Sequence, residues 1–115
     1  MITEDYVSFE VAKLLKEKEF THDMFNPYQF YMPNGQLECW NESPNDIYAP
    51  TLQMAMKWLR NEHHLNIIVD CYIDHAETRI MTIEDLPACK CRGIIGERYE
   101  EACEAAIKYC LENLI

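Results

Sequence analysis

The stretch LNIIVDCYIDHAETRIMTIE (residues 65–84) decides between an all-helical and a mixed fold. From Leu65 to Asp74 the side chains alternate. Ile67, Val69, Cys71 and Ile73 fall on one face, and Asn66, Asp70 and Asp74 on the other with Ile68 and Tyr72 among them. A period of two is the signature of a half-buried strand. His75-Ala76-Glu77 is expected to turn the chain, and Thr78–Glu84, rich in Ile and Thr, to return as the second strand of an antiparallel hairpin.

Around this hairpin the period changes to that of helices. Val11, Ala12, Leu14 and Leu15 form one stripe behind Ser8, a good N-cap, over about Ser8–Lys18. Leu52, Ala55, Met56 and Leu59, broadened by Trp58, form a second over about Thr51–His63, with Pro50 at its start. Tyr99, Ala102, Cys103, Ala106, Ile107, Cys110, Leu111 and Leu114 form a third. Glu100, Glu101 and Glu104 suit the positive N-terminal end of that last helix, and Glu104 and Lys108 have the spacing of an i,i+4 ion pair. Cys103 and Cys110 lie on the stripe and read as small hydrophobes. Arg98 occupies the N-cap position, where Ser, Thr or Asp serves better, and Glu19 stands where a glycine commonly ends a helix.

A further hairpin is expected over 28–40. Tyr28, Phe30 and Met32 alternate with polar neighbours ahead of Pro33-Asn34-Gly35-Gln36, and Leu37-Glu38-Cys39-Trp40 returns. Asn-Gly suits a type I′ turn, which needs positive φ at both positions. Residues 41–50 read as a loop, and Asp85–Gly96 as irregular with a short strand near Arg92–Ile95. The order α-ββ-α-ββ-α predicts a single α+β domain over 1–115. Its expected form is an antiparallel sheet of about four strands with three helices mainly on one face.

The charge narrows the functional classes. Twenty acidic residues oppose ten basic ones, for a net charge of −10. That field repels nucleic-acid phosphate and anionic lipid, and favours a basic protein as partner. Met1-Ile2-Thr3-Glu4-Asp5 has neither the basic nor the apolar region of an export signal, so a cytoplasmic location with reduced thiols is expected.

No catalytic constellation stands out. Neither G-x-S-x-G, H-E-x-x-H nor a phosphate loop is present, and the expected function is non-catalytic, without a cofactor. The chemical alternative is a metal-binding protein. Cys89-Lys90-Cys91 is a C-x-C pair, and Cys39 and His75 are the further ligands that would complete it. A second pair at zinc-site spacing is missing, and the adjacent His63 and His64 point in different directions on a helix end.

Aromatic residues carry the better functional signal. Tyr28, Tyr31, Trp40, Tyr48 and Tyr72 exceed what one small core accommodates, and rings on an open sheet serve as contact anchors. Tyr28, Tyr31, Trp40 and Tyr72, with Asp70 and Asp74, are therefore the candidate partner-binding residues. Self-association through an exposed sheet is a second use of the same surface.

The blocks ITEDYVSFEVAKLLKEKEF (2–20), PTLQMAMKWLRNEH (50–63) and YEEACEAAIKYCLENLI (99–115) resemble a group of small uncharacterised proteins of gut Bacteroides and related bacteria, some carried by phage or mobile elements. The likeness covers nearly half the chain, mainly its helices. It implies a constant helical frame displaying a changeable sheet or loop surface, which suits recognition better than catalysis.

Overall fold

The structure, a computed structural model, describes residues 5–20, 29–32, 34–38 and 47–115. Helix α1 is Phe9–Glu17, α2 Leu52–His63 and α3 Tyr99–Tyr109, the last continuing as a π-helical turn over Cys110–Leu114. The strands are β1 (Gln29–Tyr31), β2 (Leu37–Glu38), β3 (Ile47–Ala49), β4 (Leu65–Cys71), β5 (Ala76–Thr82) and β6 (Cys89–Gly96). The α+β class, three helices and antiparallel pairing are as expected. The strands, however, do not make one sheet of about four. They form two three-stranded sheets, ordered β2-β1-β3 and β4-β5-β6.

Four local expectations are corrected. Residues 41–50 are not loop throughout, because Ile47–Ala49 pairs with β1. Asp85–Gly96 contains the eight-residue strand β6. The β4–β5 turn also comes earlier than His75-Ala76-Glu77: the Tyr72 N–H donates to the His75 carbonyl at 2.8 Å, leaving Ile73 and Asp74 at the tip. In the first hairpin the Met32 N–H donates to Gln36 O and the Gly35 N–H to Met32 O, each at 2.8 Å. Among the described residues of that connection only Gly35 has positive φ, at 89°. This is a three-residue connection with glycine in the left-handed position, not a type I′ turn.

The helices begin and end as local chemistry dictates. The Ser8 Oγ accepts from the Val11 N–H at 3.2 Å and the Thr51 Oγ1 from the Met54 N–H at 3.1 Å, so α1 and α2 each have a side-chain N-cap. After α1, Glu19 takes φ 63°; Phe20 N–H donates to Leu15 O and Glu19 N–H to Lys16 O. This is the Schellman pattern, formed without the glycine it prefers. Arg98 makes no side-chain cap bond to α3.

The segment 5–7 ties the two halves together. Val7 N–H donates to Pro50 O at 3.0 Å, and Leu52 N–H to Asp5 O at 2.9 Å, so the start of α1 is held against the start of α2. The core lies between α3 and the inner face of β4-β5-β6. Ile80, Ile107, Leu59, Leu15 and Leu111 are fully buried, and Leu65 and Ile67 nearly so. Each such side chain contributes about 1.5–3 kcal/mol of burial. Helix α3 lies across all three strands, α2 packs on β4 and α3, and α1 packs on α3. Glu104 does not pair with Lys108 as its spacing suggests. It accepts from the Ser8 N–H at 2.9 Å, and Lys108 Nζ reaches Glu10 Oε1 at 2.9 Å, so both residues join α1 to α3.

Candidate partner-binding face

The register of the second sheet determines which side chains face away from the helices. β4 and β5 pair without interruption from Leu65↔Thr82 to Cys71↔Ala76. β6 pairs with β5 through two irregularities, one leaving Gly93 as the extra residue and the other Lys90. Gly93 has φ 82°, as a bulge position commonly requires. The outer face then reads, across the three strands, as Asn66–Met81–Cys89, Ile68–Arg79–Arg92 and Asp70–Glu77–Ile95. Among the described residues no helix or strand packs over it.

This face is mixed in character. Arg79 Nε lies 3.6 Å from Asp70 Oδ2, and Arg79 pairs directly across from Arg92. Two cations opposite each other on neighbouring strands repel, and among the described residues Arg92 has no ion-pair partner. Apolar groups surround this charge. Ile95 is 60% exposed, and Ile83 and Leu86 are exposed in the β5–β6 connection. A shallow hollow of about 340 Å³ beside them is lined by Ile68, Met81, Ile83 and Pro87.

The β4–β5 tip closes the other end. Tyr72 is 55% exposed, and its ring stacks on His75 with centroids 4.7 Å apart. His75 Nδ1 lies 2.6 Å from Asp74 Oδ1, and Nε2 3.2 Å from Glu77 Oε1. The hydrogen bond to Asp74, then that to Glu77, raises the imidazole above its ordinary value. The same bond from His75 is the first cause holding Asp74 below the usual carboxylate range.

The structure therefore brings Asp70, Tyr72 and Asp74 to one end of one sheet, with Asp74 in the turn rather than on the strand face. Tyr31 does not join them. It belongs to the other sheet, its hydroxyl donates to Val7 O at 2.7 Å, and its ring meets Phe9 edge-on at 5.4 Å. Burial, helped by the Glu104 carboxylate, pushes its phenol up. Tyr31 thus lies on the other sheet, away from Asp70 and Tyr72, and packs against the segment before α1. Tyr48 likewise packs, stacking on Phe20 at 5.6 Å. Tyr28, Trp40 and Cys39 lie outside the described residues. Arg79, Met81, Arg92 and Ile95 were missed as face residues, whereas the alternation of β4 had already put Ile68 there. The alternation of Thr78–Glu84 contained the signal for Arg79 and Met81, but the bulges of β6 concealed it for Arg92 and Ile95.

Of the alternative metal ligands, Cys39 lies outside the described residues, and Cys89, Cys91 and His75 are placed apart. Lys90 is inserted between Cys89 and Cys91, so Cys91 pairs with Ile80 and packs on the core while Cys89 pairs with Met81 and is exposed. Both lie toward the far end of β5 from His75, about 16–20 Å along the strand at ~3.3 Å per residue. Among the described residues no group of three or more Cys, His, Asp or Glu is arranged to hold an ion. Cys103 and Cys110 are sealed under α3. Burial is the first cause that pushes their thiols up, to about 11 and about 12, which leaves them protonated and inert.

A second concavity of about 480 Å³ lies where the chain before α1 meets α3, lined by Tyr6, Glu10, Arg98, Glu100, Glu104 and Lys108 among others. Glu10 with Lys108 and Glu104 with the Ser8 N–H already satisfy one another across it, so it reads as a polar joint between helices. No helix among the described residues is long and apolar enough to cross a membrane. No family model, curated protein or solved structure matches the chain.

Proposed function

We propose that the chain is a non-catalytic protein-interaction module of the cytoplasm, and that it meets its partner through the outer face of β4-β5-β6. The observation that carries this reading is the composition of that face. Tyr72, Ile83 and Ile95 are exposed and Ile68 and Met81 half-buried, and among the described residues the helices all pack on the opposite side. Apolar side chains interleaved with Asp70, Glu77, Arg79 and Arg92 make a surface of the kind proteins use for one another, an apolar centre with polar specificity. Asp70, Asp74 and Glu77 concentrate negative charge at the Tyr72 end, and the net charge of −10 draws basic proteins from a distance. A partner with apolar side chains flanked by Lys or Arg fits both features. The resemblance of the three helical blocks to small uncharacterised proteins of gut Bacteroides and related bacteria, some carried by phage or mobile elements, implies a recognition role of this kind.

The test is affinity capture from the source cytoplasm with the wild-type chain, with a Tyr72→Ala/Ile95→Asp double variant and with a Lys57→Ala control on α2. A specific partner held by the wild type and the control, and lost from the double variant, is the expected outcome. Retention of every captured protein by a folded double variant overturns the assignment of the face.

A further inference from the structure

Among the described residues both edges of the second sheet lack a neighbouring strand, and they are built differently. β6 is interrupted twice, at Lys90 and Gly93, and presents Lys90 and Arg92. Bulges and basic side chains are how sheets prevent another strand from adding. β4 has none of this. Its seven residues pair with β5 in unbroken register, and Asp70 is its one charged residue. The edge strands of the other sheet, β2 and β3, are only two and three residues long, too short to serve as templates.

The hydrogen-bond parity of β4 shows what its edge offers. Tyr72 N–H bonds to His75 O at one end of the hairpin, and Ile83 N–H to His64 O at the other, each at 2.8 Å. Bonded pairs alternate along an antiparallel ladder, so the amides of Asn66, Ile68 and Asp70 point into the sheet. Those of Leu65, Ile67, Val69 and Cys71 point outward, and among the described residues none of them has a backbone partner. A row of four unpaired donors on a flat edge is a template for one more strand.

We infer that this strand is β4 of a second copy of the chain, paired antiparallel about a two-fold axis at Ile68, joining two three-stranded sheets into one of six strands. Full overlap of Leu65–Cys71 with itself sets that centre. Ile68 then faces Ile68 of the second copy, Ile67 faces Val69, Leu65 faces Cys71, and Asn66 faces Asp70. Each outward amide meets an outward carbonyl, three of these four kinds of pair are apolar, and the fourth sets an amide donor against a carboxylate. Asp70 does not meet Asp70, so this register avoids the like-charge contact that a highly acidic chain risks. The helices and the outer face are left as they are. The inference does not rest on the proposed function, although a dimer would present two outer faces side by side.

Sedimentation equilibrium over a concentration series, with amide hydrogen exchange on the same samples, tests it. The wild type is expected to dimerise, with the Leu65, Ile67, Val69 and Cys71 amides protected only at concentrations where the dimer is populated. Ile68→Lys sets two ammonium groups against each other on the axis and should weaken association at least about tenfold. Asn66→Lys, opposite Asp70, should tighten it by about two- to fivefold, and Asn66→Asp should loosen it similarly. These two keep the register testable if Ile68→Lys does not fold. A wild type that stays monomeric throughout overturns the inference and leaves the edge to a strand from another protein. A dimer whose β4 amides exchange independently of concentration, or which ignores the Asn66 substitutions, overturns it equally.

Discussion

Gly96 ends β6 where the chain turns into α3, and substitution there tests the packing that creates the open face. A Cβ built on Gly96 would fall on the Ala102 nitrogen, and would sit 2.9 Å from the Glu101 carbonyl carbon and 3.0 Å from the Ala102 Cα. These are backbone atoms in the first turn of α3, and no flexible side chain can yield in their place. The backbone conformation at Gly96 is one alanine adopts, so the penalty is steric alone. To admit the methyl group, α3 must move off the sheet by about 1 Å at its N-terminal end, loosening Ala102 and Cys103, both fully buried. Overpacking of this kind costs about 1–3 kcal/mol. Because helix backbone has to move, Gly96→Ala is expected near the upper end, about 2–3 kcal/mol out of a total of roughly 5–15.

Gly93 supplies the control. A Cβ there meets nothing within 4 Å, but φ is 82°. Gly93→Ala should cost only about 1 kcal/mol, from the left-handed backbone and not from contact. Urea unfolding followed by circular dichroism measures both. The Gly96 variant should lose about twice the midpoint stability of the Gly93 variant, with unchanged m-values in each. A neutral Gly96→Ala, or the reverse order, would refute the close docking of α3 on the β6 terminus.

Further expectations follow from the same geometry. In the native protein a thiol reagent should modify the exposed Cys71 and Cys89 readily, and Cys103 and Cys110 only with global unfolding, as read by mass spectrometry of labelled peptides. Arg98→Ser should supply the missing cap of α3 and stabilise by about 1 kcal/mol, and Glu19→Gly should relieve the left-handed residue after α1 by a similar amount, both read as rises in Tm. NMR titration should place the His75 midpoint above that of a free imidazole, with Asp74→Asn lowering it. Since the folded value is raised, the contribution of His75 is complete below the unfolded value of about 6.5 and is lost as pH rises through the folded midpoint. The depressed Asp74 contributes above the ordinary carboxylate range, and its share is lost as pH falls through its folded value. The tip is therefore tightest between the two midpoints.

What was legible in the chain was periodicity. The stripes of α1, α2 and α3 gave those helices within a residue or two, and the alternation of Leu65–Asp74 gave β4 but ran three residues past its end at Cys71, because each buries one face against a single core. Pairing was less legible. β3 is three residues long and stands among turn-forming residues, so no local pattern betrays it, and its partner β1 makes it a strand. β6 was concealed differently. Its bulges break the alternation twice, so Cys91, Ile94 and Gly96 turn inward at irregular spacing and the strand looks like a loop. Cys89 and Cys91 read as a ligand pair from their C-x-C spacing alone, which does not show that Lys90 is the extra residue of a bulge and that the two thiols part. Tyr31 illustrates a third limit. A ring at a hairpin edge reads as exposed until the segment before α1 folds back and offers it the Val7 carbonyl.

The bulges of β6 have a consequence beyond concealment. A bulge increases local twist and blunts an edge. On this sheet they act at β6, the strand that runs directly into α3, while β4 keeps a regular ladder. Burial by the helices uses up the inner face, and the irregularity of β6 closes one edge. Among the described residues what remains open is the outer face and the β4 edge, and the two meet along β4. A single strand thus supplies side chains to the face and amides to the edge. Ile95→Asp should therefore weaken partner binding in affinity capture and leave self-association in sedimentation equilibrium unchanged, because Ile95 belongs to the face but lies on β6, two strands from the β4 edge.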